Sequence, residues 1–392
     1  MNTGNMEKRI KRRVTAREHT FFCICPPGLT NLCGKELSGL DIDPSGIQVK
    51  KGGVEFTGKL QDCYRANLYL RSPVRILMRI CRFSAESFAK LEKTVSKVDW
   101  ELYLPSGAAV EYSVSCSKSR LYHTGAVQER VAGIVSKKIE KDGVPLADSA
   151  EDRPSVTLFV RAENDRFEIS IDSSGDLLFK RGIKEAAGRA PIRENLAFAL
   201  LYRAGFSPDD ILVDPMCGSG TFCVEAAMIK KQIPPGYFRK FAFENWPCFR
   251  PAQFAHMKKK AAERFVEFKE QSVFAFDMDE RVPGAFEHTI EFYGMDDLVR
   301  IEKQDFFDLK ASDFPRPGVI VLNPPYGKRI GDPDRTRRFY REIFEKLSAD
   351  FSGWRIGMVI PDRSLAELSG FKCRISPFFH GGLDVFALTG TI

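Results

Sequence analysis

The chain has 392 residues, 43% apolar and 28% charged, an ordinary balance for a globular protein and enough length for two or three buried cores. It contains no run of 18 apolar residues and no apolar secretory core at its start, so no transmembrane helix is expected and the chain should be soluble and cytoplasmic. The net charge of +7 favours a polyanionic partner, and the excess is uneven: 28 Lys and Arg face 23 Asp and Glu over residues 1–180, against 31 and 29 over the rest.

Residues 1–17 are polar and basic, with Lys8-Arg9-Ile10-Lys11-Arg12-Arg13, and read as a flexible arm. Residues 18–62 offer strands at 20–25, 46–49 and 53–58 around a helix at 29–40, a small α+β layer. From Cys63 a helix leads to Arg71, followed by a strand at 74–83, a helix at 85–95 and an alternating strand at 109–115. A helix at 124–139 and strands at 155–161 and 166–172 complete this second part, 63–175. Asp172-Ser-Ser-Gly signals a turn, and 182–189 a polar linker. From Pro191 onward strands and helices alternate, so 176–392 reads as a doubly wound parallel sheet. Between Lys230 and Phe265 an aromatic-rich excursion, with Phe241-Ala-Phe-Glu-Asn-Trp-Pro, could wall a binding site or simply pack. Ten cysteines form no Cys-x-x-Cys pair and five histidines are scattered, so neither a zinc framework nor a disulfide ladder is expected, and no metal.

The first edge of that sheet carries Ile211-Leu-Val-Asp-Pro-Met-Cys-Gly-Ser-Gly-Thr: a short apolar strand, an acid, a two-glycine turn, then a helix. Gly218 and Gly220 let the backbone approach a ligand. The third glycine of the dinucleotide fingerprint is missing, which disfavours NAD. Asp214 stands where a carboxylate can receive an ammonium group or brace the loop. Cys217, with no histidine near it in sequence, reads as a packed thiol rather than a nucleophile. A second strand ends at Asp277, placed to accept ribose hydroxyls. A third leads into Asp305 and Phe306, where an acid could meet an adenine amino group and an aromatic could cover the ring. Alone, Asp277 could sit in a turn and Asp305 could cap a helix. Their order at successive strand ends describes a pocket for S-adenosylmethionine.

A fourth edge reads Val321-Leu-Asn-Pro-Pro-Tyr-Gly. The exocyclic amino group of a nucleobase is a poor nucleophile, because its lone pair is delocalised into the ring. The side-chain oxygen of Asn323 and the carbonyl of Pro324 can each accept one of its N–H bonds and so relocalise the lone pair. Pro324 and Pro325 stiffen the turn and add no donor. Tyr326 offers a face for an extruded base.

These residues resemble the methyltransferase domain of THUMP-containing RNA guanine-N2 methyltransferases, specifically the bacterial enzyme acting on large-subunit (23S) ribosomal RNA in the form without a fused second methyltransferase domain. Phe21 to Leu37, with Cys25-Pro-Pro-Gly-Leu, is similar to that family's opening strand and helix. Ser119-Arg-Leu-Tyr-His-Thr-Gly-Ala-Val is similar to its THUMP module, and Ala190-Pro-Ile-Arg-Glu-Asn-Leu-Ala to its linker. The resemblance implies a class I, Rossmann-like α/β methyltransferase domain preceded by α+β ferredoxin-like (18–62) and THUMP (63–175) modules. It implies S-adenosylmethionine held by Asp214, Pro215, Cys217, Gly218, Ser219, Gly220, Thr221, Asp277, Asp305, Phe306 and Asn323. The target would be guanine N2 in ribosomal RNA, met by Asn323, Pro324, Pro325 and Tyr326, with Lys118, Arg120, Tyr122 and His123 against RNA. The same acceptors would serve adenine N6, so an N6-adenine enzyme acting on tRNA or DNA is the alternative, and a non-catalytic assembly factor a further one.

Overall fold

The computed structural model describes residues 3–139, 155–183, 192–325, 332–380 and 383–392. The chain divides into two compact units. One comprises Met1–Cys25, Cys33–Leu178 and Arg239–Lys259; the other Pro26–Leu32, Phe179–Phe238 and Lys260–Ile392.

In the first unit, β1 (His19–Ile24), β2 (Gln48–Lys50), β3 (Gly53–Gly58), β4 (Arg75–Ser84), β5 (Ala109–Ser117), β6 (Ser155–Glu163) and β7 (Arg166–Asp172) form one sheet. Its order is β2-β3-β1-β4-β7-β6-β5, antiparallel except for the parallel pair β5 and β6. The helices are α1 (Thr3–Ile10), α2 (Thr30–Ser38), α3 (Leu60–Tyr69), α4 (Phe88–Val95) and α5 (Thr124–Ile139). In α5, Val127, Val131, Val135 and Ile139 recur every fourth residue and are all buried, the stripe that docks a helix on a sheet.

The basic start of the chain differs from its sequence reading. Residues 3–15 are helical, ending in a π-turn at Lys11–Thr15. Ile10 and Val14 are buried, Arg9 pairs with Glu101 at 2.7 Å, and Arg13 pairs with Asp99. A composition dominated by charge hides a short apolar stripe at four-residue spacing, Met6, Ile10 and Val14, and that stripe packs against the core.

The second unit holds β8 (Leu212–Asp214), β9 (Val273–Asp277), β10 (Val299–Lys303), β11 (Val319–Leu322), β12 (Arg355–Ile360), β13 (Cys373–His380) and β14 (Leu383–Thr391), with α6 (Glu194–Arg203), α7 (Thr221–Lys230), α8 (Pro251–Ala262), α9 (Arg281–Phe292) and α10 (Pro333–Asp350). The order is β10-β9-β8-β11-β12-β14-β13, parallel from β10 through β12 and antiparallel at β14 and β13. Along β11, Val319 and Val321 enter one core while Ile320 and Leu322 enter another, so the strand is covered on both faces and reads as continuously apolar. The chain runs outward from β8 to β10 and then returns to β11 on the other side of β8. That reversal opens a crevice at the carboxyl ends of β8 and β11, where ligands bind in such sheets.

The excursion between α7 and β9 belongs largely to the first unit. Phe241, Phe243, Trp246 and Phe254 are buried in that unit's core, with Phe243 stacked on Tyr64 at 4.5 Å between ring centroids. The Arg239 guanidinium donates to the carbonyls of Leu177 at 2.8 Å and Ser174 at 3.1 Å. Of the two sequence readings of this segment, packing prevails, because each buried aromatic removes about 150–250 Å² from water.

Candidate active site

The site is built at the carboxyl edge of the second unit's sheet. Asp214 closes β8 beside Ala275, two residues short of Asp277, which closes β9. The loop between β8 and α7 is tied to its neighbour: the Cys217 N–H donates to the Phe276 carbonyl at 2.9 Å, and the Gly218 N–H to Asp277 Oδ2 at 3.0 Å. Asp277 Oδ1 accepts the Asp279 N–H at 2.9 Å. Both oxygens of Asp277 thus brace backbone, and each keeps a lone pair for a further donor. Gly218 and Gly220 adopt positive φ, +51° and +73°. A side chain on Gly220 would collide with the Phe286 ring, whereas at Gly218 it would project into open space. The loop is therefore packed from below at one glycine and open as a cradle at the other. Ser219 and Thr221 hydroxyls lie 3.2 Å apart across the start of α7.

Asp214 is 1% exposed, and its Oδ1 has no hydrogen-bond partner among the described residues. The Cys223 thiol lies 3.9 Å from its other oxygen. Burial holds its pKa well above the usual carboxylate range; the Met216 N–H offsets this in part and the nearby Asp277 charge adds to it. Burial also pushes the Cys217 and Cys223 thiols up, which keeps them protonated and makes Cys217 a packed thiol.

At the third strand end Asp305 caps a 3-10 turn, its Oδ1 accepting the Phe307 N–H at 3.0 Å. Phe306, expected to cover an adenine ring, packs instead into the core with Ile320 and Leu322. The aromatic presented at the rim is Phe307, 37% exposed. Two adjacent phenylalanines look alike in sequence, and only the direction of the turn decides which one is inside.

Beyond β11, Asn323 is half-buried, yet its Oδ1 is shielded from solvent and has no donor among the described residues. Pro324 is buried and Pro325 half-buried, and Tyr326 lies outside the described residues. A buried ion pair went unforeseen: Arg181 Nε donates to Glu225 Oε1 at 2.7 Å, with both side chains at most 1% exposed. It fastens α7 from below. The partners are 44 residues apart, and no spacing rule connects them. Among the described residues no group of three or more His, Cys, Asp or Glu is arranged to hold a metal, and no helix is long and apolar enough to cross a membrane.

The RNA-facing candidates lie in the first unit. Lys118 has a left-handed backbone, φ +49°. The Arg120 N–H donates to Asp165 Oδ1 at 2.6 Å, while its guanidinium pairs with Glu86. Tyr122 is 64% exposed and lies against the His123 ring, with centroids 4.1 Å apart. Tyr122 and His123 thus both stand on the surface immediately before the start of α5.

Residues 181–380, with the strand ends, the glycine loop and Asn323 inside them, match the model of the RMKL-like methyltransferase domain. The chain belongs to that family. Residues 20–77 match the RlmL ferredoxin-like domain, which accounts for the α+β start of the first unit. The ribosomal RNA large subunit methyltransferase K/L of Methylococcus capsulatus is 32% identical over 93% of this chain and 50% of its own length. The chain thus spans about half the length of the curated relatives of that name which it matches. "Putative RNA methyltransferase YpsC" of Bacillus subtilis is 30% identical over 91% of each protein. The crystal structure of SMU.472 complexed with SAH superposes with a TM-score of 0.85 at 31% identity, covering 96% of this chain and 98% of that one.

Proposed function

We propose that this protein transfers a methyl group from S-adenosylmethionine to the exocyclic N2 amino group of a guanosine in large-subunit ribosomal RNA. The observation that carries the reading is Asn323 Oδ1, a shielded acceptor without a donor at the crevice between β8 and β11. Leaving such an atom unpaired costs about 1–3 kcal/mol. An amino N–H delivered there removes that cost. The Pro324 carbonyl accepts the second N–H, so the lone pair leaves conjugation with the ring and acquires a direction. Pro324 and Pro325 fix the turn, and Tyr326 stacks on the base. Positioning supplies most of the acceleration, and the proton leaves afterwards to water.

The residues present fit the cofactor. Asp214, buried with an empty acceptor, suits an ammonium group; the open side of Gly218, with Pro215, Cys217, Ser219, Gly220 and Thr221, suits a close backbone approach. Asp277 keeps lone pairs for ribose hydroxyls, and Asp305 with Phe307 borders the adenine. S-adenosylmethionine, when bound, supplies a methyl group activated by a positively charged sulfur. SAH, its demethylated product, is bound in SMU.472, which supports the cofactor. RNA as substrate is supported by the names of the K/L and YpsC relatives. The first unit then supplies RNA affinity as a THUMP-like module through Lys118, Arg120, Tyr122 and His123.

The test uses purified protein, radiolabelled S-adenosylmethionine and ribosomal RNA lacking its modifications, followed by nucleoside separation. Label is expected in N2-methylguanosine alone. Label in N6-methyladenosine would transfer the assignment to adenine, and cofactor binding without label in any RNA would leave a binding role.

A further inference from the structure

We infer that the exposed arginines at the start of α10 form a second RNA contact beside the active site, gripping the ribose-phosphate backbone of the segment that carries the target nucleotide. Residues 335–341 read Arg-Thr-Arg-Arg-Phe-Tyr-Arg, four arginines and no acid within seven residues, in a unit that carries 27 Lys and Arg against 28 Asp and Glu. Arg335, Arg337, Arg338 and Arg341 are all exposed, and among the described residues none of them forms an ion pair. Arg337 acts at longer range on Asp362. Arg335, Arg338 and Arg341 follow at i, i+3 and i+6 along one side of the helix. Tyr340, Ile343, Phe344 and Leu347 bury the other side.

Stability does not explain the cluster. The N-terminal end of a helix carries partial positive charge, so arginine in its first turns is the wrong sign; neighbouring arginines repel one another, and the flanking Asp334 and Glu342 form no ion pair with them among the described residues. Such an arrangement makes sense when an outside polyanion supplies the missing negative charge. Location identifies which polyanion. The helix begins at the Asp332 cap, nine residues after Asn323. Its Phe339 ring lies 6.4 Å from Phe307, the aromatic at the cofactor rim. Arginine forks fit phosphate oxygens in pairs, and a base extruded toward Asn323 carries its own phosphates to this helix.

This inference rests on the RNA reading above, and the two fail separately. In the full-length protein, Arg335, Arg338 and Arg341 are replaced together by Gln, and in a second variant by Lys. Each lost phosphate contact lowers the steepness of log affinity against log salt by about 0.7–0.9, so the Gln variant should lose roughly 2 from the RNA-binding slope while the Lys variant keeps it. The Gln variant should also raise KM for RNA more than it lowers kcat and should melt no lower than wild type, because repulsion within the helix is relieved. An active wild type whose Gln variant retains the same slope and KM overturns the arginine contact and leaves the methyltransferase reading standing. A wild type that binds cofactor yet neither binds nor labels RNA overturns both.

Discussion

Asp172 in the first unit and Asp214 in the second both close strands and are both 1% exposed, but they are provisioned differently. Asp172 has its counter-charge built in: Arg75 pairs with it, and the Ser174 and Gly175 N–H groups donate to it at 2.9 and 3.1 Å. Burial pushes its pKa up to about 6 and Arg75 pulls against that rise. Asp214 has no cation beside it: the Met216 N–H and a distant thiol are its partners, and its Oδ1 accepts nothing among the described residues. A buried acid that the fold itself satisfies is architecture. One left incomplete at a crevice keeps an acceptor free, which is what the proposed ammonium contact needs.

The largest expected effect breaks the satisfied member. Arg75→Met should cost about 3 kcal/mol or more at pH 8, because an unpaired buried carboxylate remains. The folded pKa of Asp172 lies above its unfolded value of 3.8, so its contribution is full below that value and is lost as pH rises through about 6. Urea unfolding of both proteins at pH 5 and pH 8 should therefore show a gap that widens with pH; a constant gap would mean that Arg75 does not balance this acid.

Next, Asn323→Ala should reduce single-turnover methyl transfer about 10²- to 10³-fold while cofactor affinity stays near wild type, as on removal of one oriented polar group from a reacting centre. Near-normal turnover would strip Asn323 of its role. For Asp277→Ala, the loss of a charged acceptor worth about 1.5–3 kcal/mol should weaken S-adenosylmethionine binding roughly 10- to 150-fold. Calorimetry on the folded variant reads this directly, and unchanged affinity would remove the residue from the site.

The smallest effect has the opposite sign. Asp214→Asn keeps the shape but removes a buried charge, so the ligand-free protein should gain about 1 kcal/mol at pH 8, or roughly 2–4 °C in Tm. Because its folded pKa is raised, Asp214's own contribution is full only below the unfolded value and falls as pH rises, so the variant's advantage should grow with pH. The stabilisation that S-adenosylmethionine confers on wild type should shrink in the same variant. Equal melting of the ligand-free proteins at all pH values would show that Asp214 is already satisfied.

Much of this was legible because parallel strands buried on both faces leave short but unbroken apolar runs, and each ends on a residue that breaks the run: Asp214, Asp277, Asn323. The ends of β7 and α5 coincide with their sequence readings, since Asp172 opens a turn and the valines of α5 keep a strict helical step. Three features left no such mark. Ile10 and Val14 are too few to stand out among basic neighbours. Phe306 and Phe307 differ only in the direction their turn gives them. Arg181 and Glu225 meet through the fold, across a separation that local pattern cannot bridge.

The detour of residues 239–259 also sets a timetable for synthesis. The core around Tyr64 lacks Phe241, Phe243, Trp246 and Phe254 until the ribosome has made some eighty residues past Leu178. At translation rates of about 5–20 residues per second that is a delay of roughly 4–16 s, during which a growing chain holds an apolar face open to water. A shortened gene ending near residue 175 would make that interval permanent. The earliest sequence to emerge is thus among the last to be finished, and the nascent chain must stay sheltered from aggregation until more than half of it exists.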